Sequence, residues 1–407
     1  MIKQQKILLS AFACDPTKGS EPGNGWNWAI GLAKMGYEVH CLTRVTGETG
    51  IHQVDKPENL FFYYITLPLG LEQLYSKSMA GMYGYYILWQ WVAFQRAKKL
   101  HKSIRFDIVH HVTWGSTQMG SFLYRLKVPF IFGPAGGGQI APLTFKEYFG
   151  NHWPTEQKRQ KISRWLTNYN PSCRQMIQRA KAVLVSNPDT ETMVRSLGAK
   201  NVIATLDAAL PEQFFPTEEV VKNPAPGSLK LLWVGRFMPR KGLMLVLEVM
   251  ATLKDHPGIT LTIVGDGELK EQIIEKIATL GLSHSVTCVG KVPYEEVKNF
   301  YLTHDVFFFT SLRDSCPAQL IEAMAYSMPV VTLDLHGQAI IVNEHVGIKC
   351  ASDHPENAKK QLKMGILSFY NNPQLVIEKG HNAYKFANQQ RWETKIAHVV
   401  THYYPGS

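Results

Sequence analysis

The chain has 407 residues, 45% of them apolar and 19% charged, which is too long for one ordinary core and too apolar for a disordered segment. Its formal net charge of +10 favours anionic partners, while the dispersal of Lys and Arg without one basic run argues against nucleic acid. The six cysteines include no CxxC pair, which predicts neither a zinc site nor a disulfide framework and fits a reducing cytoplasm.

The N-terminus passes through Lys3 and Lys6 straight into an apolar run without a signal-peptide pattern, so a cytoplasmic location is expected. Residues 6–11 read as strand, 26–35 as helix and 38–43 as strand, a βαβ unit that predicts a parallel sheet. Between the first strand and helix lies ACDPTKGSEPGNGW, where Gly23 and Gly25 suit a loop against phosphates. A dinucleotide fingerprint would need glycine where Trp28 stands, and no GxxxxGK[ST] run exists.

A helical segment follows over 71–102. Its uncharged part, 79–94, contains Gln90 and falls short of the ~20 residues that span a bilayer. With Arg96, Lys98, Lys99 and Lys102 behind it, the segment reads equally as a membrane-surface helix or as a cover over the first sheet. Runs 108–112, 129–132 and 182–186 continue the alternation. The first ends with His110 and His111, which strand alternation puts on opposite sides, and a histidine satisfied inside the sheet is the ordinary reading. Gly136, Gly137 and Gly138 follow the next strand as a flexible connection or a ligand loop.

Four prolines between 210 and 228 mark a linker. Strands at 229–234, 260–264, 286–289, 306–310 and 329–333 then alternate with helices, repeating the first architecture. The expected domains are therefore 1–209, 210–387 and a helix over 388–407 returning to the first. Ligand chemistry is expected beyond the carboxyl ends of the strands.

Three segments lie there. In WVGRFMPRKG, Arg236 and Lys241 near a helix start can place cations on two phosphates, and outside this context they would read as a solvated basic turn. In RDSCPAQLIEAMAYSMPVV, Asp314 and Glu322 stand eight residues apart and can grip two sets of hydroxyls; the ordinary alternative is an acidic cap plus a surface Glu. In VGDGEL, Gly265 and Gly267 permit close backbone approach or merely a tight turn.

These segments, in order, resemble the retaining glycosyltransferases of the GT-B fold in family 4, strongly in the second half and more loosely in the first. The resemblance implies two Rossmann-like α/β domains with parallel sheets facing across a cleft, with a nucleotide-sugar donor on the second. It implies that Arg236 and Lys241 bind the donor diphosphate, Asp314 faces the sugar and Glu322 holds the ribose, and that one histidine at the end of the 108–112 strand lies in the cleft near the sugar, His111 being preferred for the catalytic set and His110 for a place inside the sheet. The donor side would further take in Gly23, Gly25, His110, Gly235, Gly265, Asp266, Gly267, Val292, Ser315, Cys316, Pro317 and Ala318, and Gly136–Gly138 would face the acceptor. The chain departs from the family where Asp314 replaces the usual Glu and Pro317 removes an amide, which bears on the sugar contacts more than the nucleotide contacts.

The implied reaction moves a sugar, with UDP-sugar the expected donor, to a hydroxyl of a saccharide or polyisoprenoid-linked acceptor in surface polysaccharide assembly. Retention at the anomeric carbon, no metal or cofactor, and peripheral contact with the inner face of an anionic membrane are expected. The rival readings are an epimerase or phosphorylase on the same fold and a non-catalytic nucleotide-sugar-binding partner of a membrane complex.

Overall fold

The computed structural model describes residues 4–68 and 70–404. They form two compact units, one of Met1–Gly138, Lys161–Ala209 and Trp392–Ser407, the other of Gln139–Gln160 and Leu210–Arg391. In the first, strands β1 (Lys6–Ala11), β2 (Glu38–Arg44), β3 (Leu60–Ile65), β4 (Ile108–Thr113), β5 (Phe130–Ala135), β6 (Ala182–Val185) and β7 (Val202–Ala204) make a seven-stranded sheet. Its order is β3-β2-β1-β4-β5-β6-β7 and its pairings are parallel. In the second, β8 (Leu229–Val234), β9 (Ile259–Val264), β10 (Val286–Gly290), β11 (Val306–Phe309), β12 (Val330–Leu333) and β13 (Gly347–Cys350) make a six-stranded parallel sheet in the order β10-β9-β8-β11-β12-β13.

Helices cover both faces of such sheets, so inner strands are buried without alternation: β4, β11 and β12 are buried along their whole length, the first including His110 and His111. Strand order reverses between β1 and β4 in one sheet and between β8 and β11 in the other, and a crevice opens beyond the carboxyl ends of strands at such a point. In the first unit, helix Met79–Ile104 lays Tyr85, Tyr86, Trp89, Ala93 and Ala97 at helical spacing onto one face of the sheet. Trp28, Leu32, Ile396 and Val399 pack the other face. The second core gathers around Trp233, Phe237, Leu245 and Phe308.

The structure differs from the sequence expectations at four places. Three strands had no expectation: β3, whose run LFFYYI lacks alternation; β7, only three residues long; and β13, which opens on Gly347. The first helix spans Ser20–Lys34 rather than starting at 26, because Pro22 falls in the first turn, where its missing N–H costs nothing. The contiguous first domain is corrected too. Gln139–Gln160 belongs to the second unit, where Ala141, Phe145 and Phe149, four residues apart, present one apolar stripe to its core. The expected tail helix starts at Trp392 rather than 388, after helix Pro373–Gln389 of the second unit has ended, and it lies in the first unit.

Candidate functional site

The second unit's crevice is built by glycines that bring two strand ends together. Gly235 N–H donates to Val264 O at 3.0 Å and Phe237 N–H to Asp266 O at 2.9 Å. Gly265 has φ +147°, and a Cβ there would lie 1.8 Å from Gly235 O; at Gly267, φ +158°, it would lie 2.6 Å from Phe237 O. Only glycine fits either place. The pocket above them has a volume of about 600 Å³ and is lined by Gly235, Arg236, Gly265, Asp266, Gly267 and Val292, with Lys291 and Gln319 added to the expected set. Arg236 is exposed, and Asp266 pairs with Lys270 at 3.7 Å.

Beside this pocket, two backbone segments are zipped together. Thr310 Oγ1 donates to Gly242 O at 2.9 Å, Leu312 N–H to Arg240 O at 2.8 Å and Ser311 Oγ to Arg240 O at 3.0 Å. The zipper sets the buried Lys241 ammonium directly on Asp314 Oδ2 and lays it 5.1 Å over the Phe309 ring. Arg240 reaches the same carboxylate oxygen at 3.4 Å and also donates to Arg313 O at 3.1 Å. Burial acts to raise the Asp314 carboxyl, and the Lys241 and Arg240 cations more than offset it, holding it below the ordinary carboxylate range.

Glu322 is placed elsewhere, buried on helix Ala318–Ala325. Its oxygens accept from Tyr301 at 2.9 Å and Tyr294 at 3.2 Å. Burial raises its carboxyl, against the two phenols that lower it. In the intervening loop, Ser315 Oγ accepts from Gln139 Nε2 at 3.0 Å, Cys316 is partly exposed and in no disulfide, and Pro317 caps the helix that Ala318 begins. The excursion Gln139–Gln160 thus grips one flank of Asp314 through Ser315. It grips the other through Glu156, which is 6% exposed and pairs with Arg313 at 2.9 Å and with Arg159 at 2.8 Å.

The first unit's expected residues are more tightly enclosed. Gly23 and Gly25 lie inside the first helix, not in a loop. A Cβ at Gly25 would lie 2.0 Å from Ala13 O and one at Gly23 2.6 Å from Lys18 O, so these glycines seat the helix against the preceding loop. Both histidines are fully buried. His110 contacts Tyr404 OH and Gly133 O, each at 2.8 Å, and burial pushes its ring down to about 3. His111 contacts Ser10 Oγ at 3.0 Å and Trp114 O at 3.3 Å, and burial pushes it down to about 4. The expected cleft-facing histidine is therefore corrected: both are neutral interior rings that pin β4 to its neighbours. Gly136–Gly138 is an ordered connection, with Gly136 N–H on Gly115 O at 2.7 Å and Gln118 Nε2 on Gly137 O at 2.6 Å.

Comparison with known proteins supplies the context. The model of a glycosyl transferase 4-like domain matches residues 26–206, and that of the glycosyl transferases group 1 matches 215–389. The chain belongs to the GT-B glycosyltransferases of family 4. Among its relatives in this family, the amylovoran biosynthesis glycosyltransferase AmsK of Erwinia amylovora is 34% identical over 125 residues, 29% of this chain and 31% of AmsK. The chain spans about a third of the length of AmsK and of other curated relatives of similar score. The fold is also that of solved GT-B glycosyltransferases. Sucrose-phosphate synthase from Thermosynechococcus elongatus aligns with a TM-score of 0.68 at 18% identity over 98% of both chains. Anabaena HepE in complex with UDP aligns with a TM-score of 0.62 at 16% identity, covering 98% of this chain and all of HepE.

Sequence reasoning passed over several charged residues that the structure brings out. Arg240 and Arg313 were given no role, although the first directly adjoins Lys241 and the second Asp314. Lys291 follows a strand end and could have been found by that rule. Glu21 lies in the first unit and accepts from Gly115 N–H at 3.2 Å; burial and then the nearby Asp207 push its carboxyl up to about 7.

Proposed function

We propose that the chain is a retaining glycosyltransferase that transfers a sugar from a UDP-sugar to an acceptor hydroxyl in surface polysaccharide biosynthesis, with UDP as the leaving group. The observation that carries this reading is the pair of cations Arg240 and Lys241 on Asp314, beside an open pocket that Arg236 lines at the strand-order reversal of the second sheet. A nucleoside diphosphate leaving group develops negative charge as its bond to the anomeric carbon breaks, and fixed cations stabilise that charge without a divalent ion. In this reading Arg236 and Lys241 hold the diphosphate, Asp314 faces the sugar and Glu322 takes the ribose. The anomeric carbon exchanges its phosphate oxygen for the acceptor oxygen on the same face, and the acceptor proton passes to the departing phosphate. UDP is chosen because HepE, of like fold, is solved with UDP, and the polysaccharide setting because AmsK acts in amylovoran biosynthesis. The acceptor in this reading is a saccharide or a lipid-linked saccharide.

The reading includes peripheral contact with an anionic membrane from the cytoplasmic side. The outer face of helix Met79–Ile104 exposes Met79, Ile87, Leu88 and Trp91 at 42–49% and then turns basic at Lys98, Lys99 and Lys102. Apolar and aromatic side chains ahead of lysines suit the boundary between acyl chains and anionic headgroups. Among the described residues no helix is long and apolar enough to cross a membrane. Co-sedimentation with vesicles containing anionic phospholipid, lost in Ile87→Ser/Trp91→Ser, tests this part.

A thermal-shift screen with UDP, GDP, ADP and their sugar conjugates tests the donor site. Ligand a hundredfold above Kd stabilises by about 2.7 kcal/mol, a rise of roughly 5–10 °C for units of this size. A shift selective for uracil and lost in Lys241→Ala and Glu322→Ala is expected; no shift with any nucleotide would overturn the donor-site reading.

A further inference from the structure

Glu322 is 8% exposed, yet its two oxygens do not share one partner. Tyr301, fully buried, donates to Oε2 at 2.9 Å, and Tyr294 donates to Oε1 at 3.2 Å. An ionised carboxylate offers about four acceptor positions, two on each oxygen. Each phenol fills one, which leaves one on each oxygen, side by side. Two adjacent acceptors match two hydroxyls on adjacent carbons, whereas an anionic group would be repelled.

The phenols are held in place. The Tyr301 ring stacks on Tyr326 at 5.8 Å and packs against Phe307 at 6.1 Å, while Tyr294 lies 6.0 Å from Phe214. The same two helices reach the pocket: Val297, one turn after Tyr294, and Gln319, one turn before Glu322, both line it.

Resting on the donor reading above, we propose that Tyr301 and Tyr294 are positioning residues that aim Glu322 at the vicinal 2′- and 3′-hydroxyls of the donor ribose. They also oppose its protonation. Burial favours the protonated acid, which would offer a hydroxyl where an acceptor is needed, and the two O–H donors favour the carboxylate. Removing one phenolic oxygen therefore loosens the aim and raises the pH at which Glu322 gains a proton.

The test is calorimetric titration of the full chain with UDP and with 2′-deoxy-UDP between pH 5.5 and 8, in wild type, Tyr301→Phe, Tyr294→Phe and Glu322→Gln. Wild type is expected to prefer UDP by about tenfold, the worth of a hydrogen bond to a charged group. In Tyr301→Phe the preference falls to about twofold and the acidic limb of UDP affinity moves to higher pH, with a smaller change in Tyr294→Phe. Phenylalanine variants that keep the wild-type preference and pH limb, or that lose both nucleotides equally, overturn the proposal. Should Tyr301→Phe fail to fold, Tyr294→Phe carries the same comparison. Wild type that binds no UDP sinks the donor reading itself, and with it this inference; wild type that binds both nucleotides equally removes the ribose role of Glu322 alone.

Discussion

Lys241 sits between the Asp314 carboxylate and the face of Phe309, so its charge is compensated before any ligand arrives. Removing it leaves a mostly buried carboxylate with the longer contacts of Arg240 and Ser311, both at 3.4 Å; Lys241→Met is expected to cost about 2 kcal/mol in urea unfolding, while Arg240→Ala, at a longer and more exposed pair, costs less than 1 kcal/mol. A different balance governs Glu21 and Asp207 in the first unit. Burial pushes the first up to about 7 from 4.5, with Asp207 adding to it, and pushes the second up to about 6 from 3.8. Both folded values exceed the unfolded ones, so the folded chain binds more protons over roughly pH 4 to 7 and stability falls as pH rises through that window. Glu21→Gln is accordingly expected to stabilise the protein at pH 8 by on the order of 1 kcal/mol and to change nothing at pH 4, as read by melting curves. Arg236, Lys241, Asp314 and Glu322 could be singled out from their spacing in two short segments that follow strand ends, together with the family resemblance of those segments. The partners were not, because Lys241 and Asp314 meet only through a tertiary zipper, and nothing local shows that Tyr301 faces Glu322.

At the scale of elements, the two parallel sheets and the order of strands and helices could be read from runs of apolar residues, and the linker from its prolines. The excursion Gln139–Gln160 could not be: its apolar spacing is visible, but which core it joins depends on a surface that exists only after folding. Its grip on the loop around Asp314 runs through Glu156, enclosed by Arg159 and Arg313. Glu156→Ala leaves the mostly buried Arg313 without its carboxylate, and a loss of about 3 kcal/mol is expected in denaturant titration. Glu156→Asp, one methylene shorter but still charged, should recover part of it. Equal stability of all three proteins would mean that the ion pair contributes nothing to the brace. The first helix teaches the converse. Pro22, Gly23 and Gly25 look like helix breakers in a linear reading, but proline suits a first turn and glycine suits a helix pressed against backbone.

For the whole molecule, the path of the chain matters as much as the two sheets. It passes from one unit to the other at 138/139, 160/161, 209/210 and 391/392, so neither unit is one continuous piece. The last passage delivers helix Trp392–Tyr403 to the first unit, where Trp392 meets Trp28 at 6.0 Å and Ile396 fills the space above Gly31. Trp392→Ala is expected to cost about 3 kcal/mol, measured by chemical denaturation. Lys395 closes the same helix onto the backbone oxygens of Leu206 and Ala208. Translation gives this arrangement an order in time. The first unit is nearly all synthesised before β8 begins, yet its sheet keeps an uncovered apolar flank around Trp28 until residues 392–404 have left the ribosome. During that interval the nascent chain presents a sticky surface to chaperones, and a ribosome that stalls anywhere in the second unit leaves the first one unfinished.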